Sequence, residues 1–202
     1  KIRVFENDEI VITSKNILSQ LNYEYKNKRY SAVINCSDRE VLKYVKVDDE
    51  IFIDDGKIEL IAINKIDDNT VVAKVLNAKD KGVVIKEEKG INFPNSNLIL
   101  DAITDEDKQN LKSVIEFADI LGISFAQRRE DIETLKSELK KYDKDLAIVA
   151  KIETKLAIQN LPEILTALLD CKESGVMIAR GDLAIEVGFE NLAYIQEEIF
   201  DL

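Results

Sequence analysis

Two short charged segments each close an apolar run: Ala150-Lys151-Ile152-Glu153 and, twenty-nine residues further on, Ala179-Arg180-Gly181-Asp182. The first follows Leu146-Ala147-Ile148-Val149 and the second follows Gly175-Val176-Met177-Ile178. In an extended chain Lys151 and Glu153 lie two apart, so a cation and a carboxylate leave the same face and share one pocket wall. Gly181 permits close backbone approach to a ligand, and the Asp182 carboxylate follows at once. Glu153 and Asp182 are hard oxygen donors that suit one magnesium or manganese ion, which keeps coordination positions open for substrate oxygens. With Lys151 as the local positive charge, the set reads as a site for a metal and a phosphate.

The elements that would carry these residues read as a βαβ unit. Between the clusters, Lys155 to about Leu169 places Leu161, Ile164, Leu165 and Leu168 at helical spacing. Strand, helix and strand within about thirty residues make a parallel pair, and in parallel βα barrels the working residues sit at the carboxyl ends of strands. Upstream, Thr104 is the predicted N-cap of a helix through Glu116, Ile120 to Phe125 a strand, and Glu130 to Tyr142 a helix. A further helix is predicted from Phe189 to Phe200, with the Arg180-Gly181-Asp182 amides at its opening as an anion site.

The first ninety or so residues differ in character. Short β-branched runs recur at Glu9–Thr13, Tyr30–Ile34, Ile51–Ile53, Lys57–Ala62, Thr70–Val75 and Gly82–Ile85, which predicts a small antiparallel β domain. Asn92-Phe93-Pro94-Asn95 marks the crossing, because Pro94 cannot donate to a ladder and Asn95 tolerates a left-handed turn. The division is therefore drawn as residues 1–92 and 93–202.

Composition excludes several classes. The chain has 202 residues and a net charge of −11, with no histidine and two cysteines, Cys36 and Cys171. That excludes a zinc site or a cysteine–histidine nucleophile, and the cysteines read as reduced thiols. The acidic balance opposes a nucleic-acid surface, and Tyr23–Tyr30 reads as strand residues around a turn. No apolar run is long enough to cross a bilayer, so the expected setting is cytoplasmic, without membrane partners.

Lys151-Ile152-Glu153 and Ile178-Ala179-Arg180-Gly181-Asp182-Leu183 resemble the signature strands of the pyruvate kinase family. Asp54-Asp55-Gly56-Lys57-Ile58, Lys89-Gly90-Ile91-Asn92-Phe93-Pro94, Thr104-Asp105-Glu106-Asp107-Lys108 and Gly122-Ile123-Ser124-Phe125 follow the family's order, so the resemblance spans the chain. It implies an α/β fold, a partial (β/α)8 TIM-type barrel preceded by a small all-β lid barrel. The lid would be residues 1–92, with Asp55 to Lys57 or Lys89 facing the cleft. The implied activity is phosphoryl transfer from phosphoenolpyruvate to ADP, giving pyruvate and ATP in glycolysis. The implied roles are Lys151 as the catalytic cation, Glu153 and Asp182 as ligands of Mg2+ or Mn2+, and Arg180, Gly181, Asp182 and Ser124 at the substrate. A potassium ion is also implied, with its ligands outside these residues, as is a homo-oligomer. The chain starts without Met and stops inside an apparent helix, so it reads as an internal piece, inactive by itself.

This sequence also departs from the family pattern. Thr154-Lys155-Leu156-Ala157 stand where the family has an asparagine and, shortly after, an acid and a glycine; Ala184 replaces a glycine and Gly188 a proline; and Thr166–Glu173 form a longer insertion. Two other functions therefore stay open: a metal-dependent carbon–carbon lyase that stabilises the same enolate, and a non-catalytic paralogue. Such lyases lack a preceding β domain, which favours the kinase. Each residue also has a plainer role: Lys151-Glu153 as a salt-bridged strand end, Asp182 as a helix cap, Arg180 as a pair for Glu153 or Glu186, and Ser124 as a barrel-lining hydroxyl. Arg128-Arg129-Glu130-Asp131 reads as a solvated helix start.

Overall fold

In the computed structural model, which describes residues 1–38, 40–78, 81–96, 98 and 101–202, the first half forms nine strands, six of which fall on its β-branched runs. They are β1 (Ile2–Val4), β2 (Glu9–Thr13), β3 (Gln20–Tyr25), β4 (Lys28–Asn35), β5 (Glu50–Ile53), β6 (Ile58–Asp67), β7 (Thr70–Asn77), β8 (Val83–Ile85) and β9 (Ile91–Asn92). Seven form one sheet in the order β3-β4-β2-β7-β6-β5-β9, while β1 and β8 pair separately. The sheet is not wholly antiparallel as predicted, since β2 and β4 run parallel with Ile10 opposite Ala32 and Ile12 opposite Ile34. Two parallel strands cannot be joined by a tight turn, and here the β3 hairpin stands between them in sequence.

Turn chemistry sets the registers. Lys26 and Asn27 both have positive φ, 49° and 63°, the two-residue turn whose twist matches a β-hairpin, and they join Tyr25 to Lys28. Asp54, Asp55 and Gly56 also lie in the left-handed region, and the Lys57 amide donates to the Asp54 carbonyl at 3.2 Å. Beneath the strands Ile10, Ile12, Leu42, Ile51, Ile53, Ile58 and Leu60 are wholly buried. Phe93 joins the same core, and the first of two compact units runs from Lys1 to Leu100.

The second unit, Asp101 to Leu202, is α/β. Its strands β10 (Ile120–Ile123), β11 (Ala147–Ile152) and β12 (Ser174–Ile178) form a parallel sheet with β11 central. Helices α1 (Asp105–Val114), α2 (Arg129–Lys140), α3 (Lys155–Gln159), α4 (Leu161–Leu169), α5 (Arg180–Val187) and α6 (Leu192–Phe200) alternate with and follow these strands. Thr104 caps α1 as expected, its Oγ1 accepting from the Asp107 amide at 3.1 Å while Asp107 accepts from the Thr104 amide at 2.8 Å. Ile132, Ile148, Ile152, Leu161 and Ile164 form the buried centre.

Two predicted helices are divided differently. The stretch from Lys155 to Leu169 breaks at Asn160, which lies outside the helical region at φ −99° and ψ 10°, and Pro162 stands inside the first turn of α4, where a missing N–H costs nothing. The helix expected from Phe189 begins only at Leu192, and Arg180–Val187 is a helix of its own. Gly188 separates the two at φ +86°, where a Cβ would sit 2.6 Å from a Glu190 carboxylate oxygen. Gly188→Ala is expected to cost about 1–3 kcal/mol of stability, mostly as backbone strain because Glu190 can swing away; a denaturant midpoint equal to the parent's would contradict that.

Candidate active site

The predicted site residues gather at the carboxyl end of the parallel sheet. β11 ends at Ile152, opposite Ile178 of β12, and the Ala179 amide extends this pairing by donating to the Ile152 carbonyl at 3.1 Å. Glu153 leaves one strand just where Arg180 leaves the other. On the opposite flank, Ile123 of β10 pairs with Ala150, so Ser124 and Phe125 emerge on the third side.

Lys151, Glu153, Ser124 and Phe125 touch. Lys151 Nζ lies 2.7 Å from Glu153 Oε1 and donates to Ser124 Oγ at 3.0 Å. The remaining oxygen, Glu153 Oε2, accepts from the Phe125 amide at 2.7 Å. The Glu153 side chain is 2 % exposed and that of Lys151 27 %, so a buried carboxylate is held by one cation and one amide while the cation keeps a route to solvent. Burying a carboxylate requires such partners. The plainer role of a strand-end salt bridge is physically present, but the ammonium's partial exposure leaves it free to meet an anion as well.

Phe125 sits at φ +52°, unusual for a bulky residue, and this turn aims its N–H at Glu153. The sequence shows Phe125 only as the end of a strand-like run; the contact that matters is its backbone. Asp131 departs from the expected solvated helix start. It is 4 % exposed rather than solvated, and its Oδ2 accepts from the Gln127 amide at 2.8 Å and the Arg128 amide at 2.9 Å, closing the loop after β10. An acidic residue three beyond a helix start is the signal that could have revealed it.

Arg180, Gly181 and Asp182 form the first turn of α5 itself, not of a later helix. Their backbone N–H groups therefore open a helix beside Glu153, as an anion requires. Among the described residues no ion pair joins Arg180 to Glu153 or Glu186; Arg180 is exposed and Glu153 has taken Lys151 instead. Glu186 accepts, at 3.4 Å, from the amide of Lys155, the first residue of α3.

Burial raises the Glu186 carboxyl above its ordinary 4.5, with Lys155 opposing and Asp182 adding to the rise. The folded state therefore holds this proton to higher pH than the unfolded chain does. Its contribution to stability is full below about 4.5 and is lost as pH rises through the folded value. Glu186→Gln is expected to melt above the parent at pH 7, with the gap closing towards pH 4; a constant gap in thermal scans would contradict this.

The donor chemistry fits a divalent cation held in part by substrate. Among the described residues no three acidic, histidine or cysteine side chains converge, whereas magnesium characteristically takes one or two carboxylates and completes its shell with water and substrate oxygens. Glu153 keeps a lone pair on each oxygen beyond the two contacts it makes.

The departures at Thr154 and Gly188 have local explanations. Thr154 caps α3, its Oγ1 accepting from the Ala157 amide at 3.1 Å. In the first unit, Asp54 takes Lys89 at 2.7 Å and Lys57 at 2.9 Å, and these ammonium groups, Lys89 foremost, hold its carboxyl below the usual range.

A family model described as the pyruvate kinase barrel domain matches residues 1–201. The chain belongs to the pyruvate kinase family. It is 34 % identical over 161 residues to the pyruvate kinase of Thermotoga maritima, covering 79 % of this chain and 32 % of that relative. The Thermococcus litoralis pyruvate kinase is 33 % identical over 193 residues, 95 % of this chain and 36 % of its own length. That of Methanocaldococcus jannaschii is 36 % identical over 151 residues, 74 % of this chain and 31 % of its own. The chain thus spans about a third of the length of the curated pyruvate kinases it matches. Among the described residues no helix is long and apolar enough to cross a membrane.

Proposed function

We propose that the full-length protein is a pyruvate kinase that transfers the phosphoryl group of phosphoenolpyruvate to ADP in the cytoplasm, as a homo-oligomer requiring Mg2+ or Mn2+ and K+. In this reading residues 93–202 belong to a (β/α)8 barrel and residues 1–92 to a lid domain. The observation that carries it is the Lys151–Glu153 pair at the carboxyl end of a parallel strand, with Asp182 opening a helix on the adjoining strand, inside a chain of this family.

Glu153 and Asp182 would hold the divalent cation, which when bound neutralises charge on the substrate's oxygens. Lys151 Nζ faces the transferring phosphoryl group and stabilises the charge spread over its oxygens as the bond to the enol oxygen breaks and the bond to ADP forms. Ser124 Oγ accepts a hydrogen bond from that ammonium and fixes where it points. The Phe125 amide keeps Glu153 oriented, and the Arg180-Gly181-Asp182 amides receive the substrate carboxylate.

The test is a lactate-dehydrogenase-coupled assay of the full-length protein with phosphoenolpyruvate, ADP and magnesium. Pyruvate formed only with both substrates and metal supports the kinase. An inactive protein that binds magnesium favours the lyase, and one that binds none favours the non-catalytic paralogue.

A further inference from the structure

We infer that Asp131 and Asn160 are positioning residues for the Lys151–Glu153 pair, acting through the backbone of Gln127; this rests on the proposed function. The loop between β10 and α2 supplies both groups that hold the pair, Ser124 Oγ and the Phe125 amide. A left-handed phenylalanine is strained and persists only where its surroundings over-determine it. Here they do. Two residues on, Gln127 donates its amide to Asp131 Oδ2 at 2.8 Å and accepts at its carbonyl from Asn160 Nδ2 at 2.9 Å. Its own side chain, 8 % exposed, reaches Thr154 Oγ1 at 3.4 Å, the residue directly after Glu153. Ala126 between them is wholly buried.

The loop is thus pinned to α2 by Asp131, to the α3–α4 junction by Asn160, and to the end of β11 by the Gln127 side chain. Among the described residues no hydrogen bond or ion pair joins these three to Lys151 or Glu153. Their effect is to fix the direction from which the Phe125 N–H meets the carboxylate, and hence which Glu153 lone pairs remain for a metal. Groups that orient metal ligands in this way typically change metal affinity by about 10–100-fold when removed.

The experiment is Mn2+ binding to the full-length protein, followed by electron paramagnetic resonance, with thermal melting alongside. Asp131→Ala is expected to raise the Mn2+ Kd about tenfold. Asp131→Asn, which keeps an acceptor for both amides, should restore it to within about threefold of the parent by the same reasoning. Asn160→Ala provides a second variant in the same direction should Asp131→Ala fold poorly. Leu139→Ala, in the core on α2, is the control for destabilisation alone. A folded Asp131→Ala or Asn160→Ala protein with the parent's Kd, or a Leu139→Ala protein shifted equally, overturns the positioning role. If the parent's binding is lost in Glu153→Gln but indifferent to Asp131 and Asn160, only this inference falls; a parent that binds no Mn2+ overturns it together with the function it rests on.

Discussion

Lys151→Ala in the full-length protein is expected to lower kcat for phosphoryl transfer by about 10²–10³-fold, the range seen when one preorganised stabiliser of transition-state charge is removed. The change should fall on kcat more than on the KM for phosphoenolpyruvate, because the ammonium meets charge that develops as the phosphoryl group departs. The same substitution strips the buried Glu153 of the one cation that pairs with it among the described residues, 2.7 Å away, and leaves it the Phe125 amide. Breaking a buried pair costs about 3–5 kcal/mol, and the partial exposure of Lys151 places this case at or below the lower figure. Lys151→Arg restores the charge and much of the stability, yet should leave kcat low, since a planar guanidinium cannot take the place of a point ammonium on Ser124 Oγ. Steady-state kinetics and chemical denaturation of both variants check this. A Lys151→Ala kcat equal to the parent's would remove Lys151 from the chemistry, and equal values in Lys151→Arg and the parent would show that any cation at this position suffices.

Glu153→Ala should show the other large effect, this time on metal. Losing a direct ligand exceeds the roughly 10–100-fold typical of orienting groups, so the Mn2+ Kd should rise more than about a hundredfold and kcat at fixed metal should collapse with it. The stability effect is small by comparison. Removing a buried charge offsets the orphaning of the Phe125 amide, whose lost partner costs about 1–3 kcal/mol. Titration calorimetry with Mn2+ and thermal melting separate the two, and a variant that binds metal like the parent would show that Glu153 is only a strand-end ion pair.

The parts of this molecule legible in its sequence are those where neighbours in the chain are also neighbours in space. Lys151 and Glu153 are two apart at a strand end, and the structure pairs them at 2.7 Å. Glu9–Thr13 is a strand from end to end, and the Thr104 capping box was readable from its spacing to Asp107. Illegible parts depend on partners far along the chain or on elements too short to show a period. β1 and β9 have three and two residues, below any alternation signal. The parallel pairing of β2 with β4 is a choice of topology, not of composition. Arg180–Val187 carries a glycine and two β-branched residues and looks little like a helix; only the Gly188 stop signal betrays it. Asp131 sits among three other charged residues and reads as solvent-facing, yet its partners are backbone amides, at which only its place three residues beyond the helix start hints.

The most direct test of the central claim, that Glu153 and Asp182 together serve one metal beside Lys151, is Mn2+ binding by electron paramagnetic resonance to the full-length parent and to a folded Asp182→Asn variant. One divalent site in the parent, weakened more than about tenfold in the variant, is the expected result. A parent site that Asp182→Asn leaves unchanged would contradict it, because the ion would then be held elsewhere and the opening of α5 would be a helix start and nothing more.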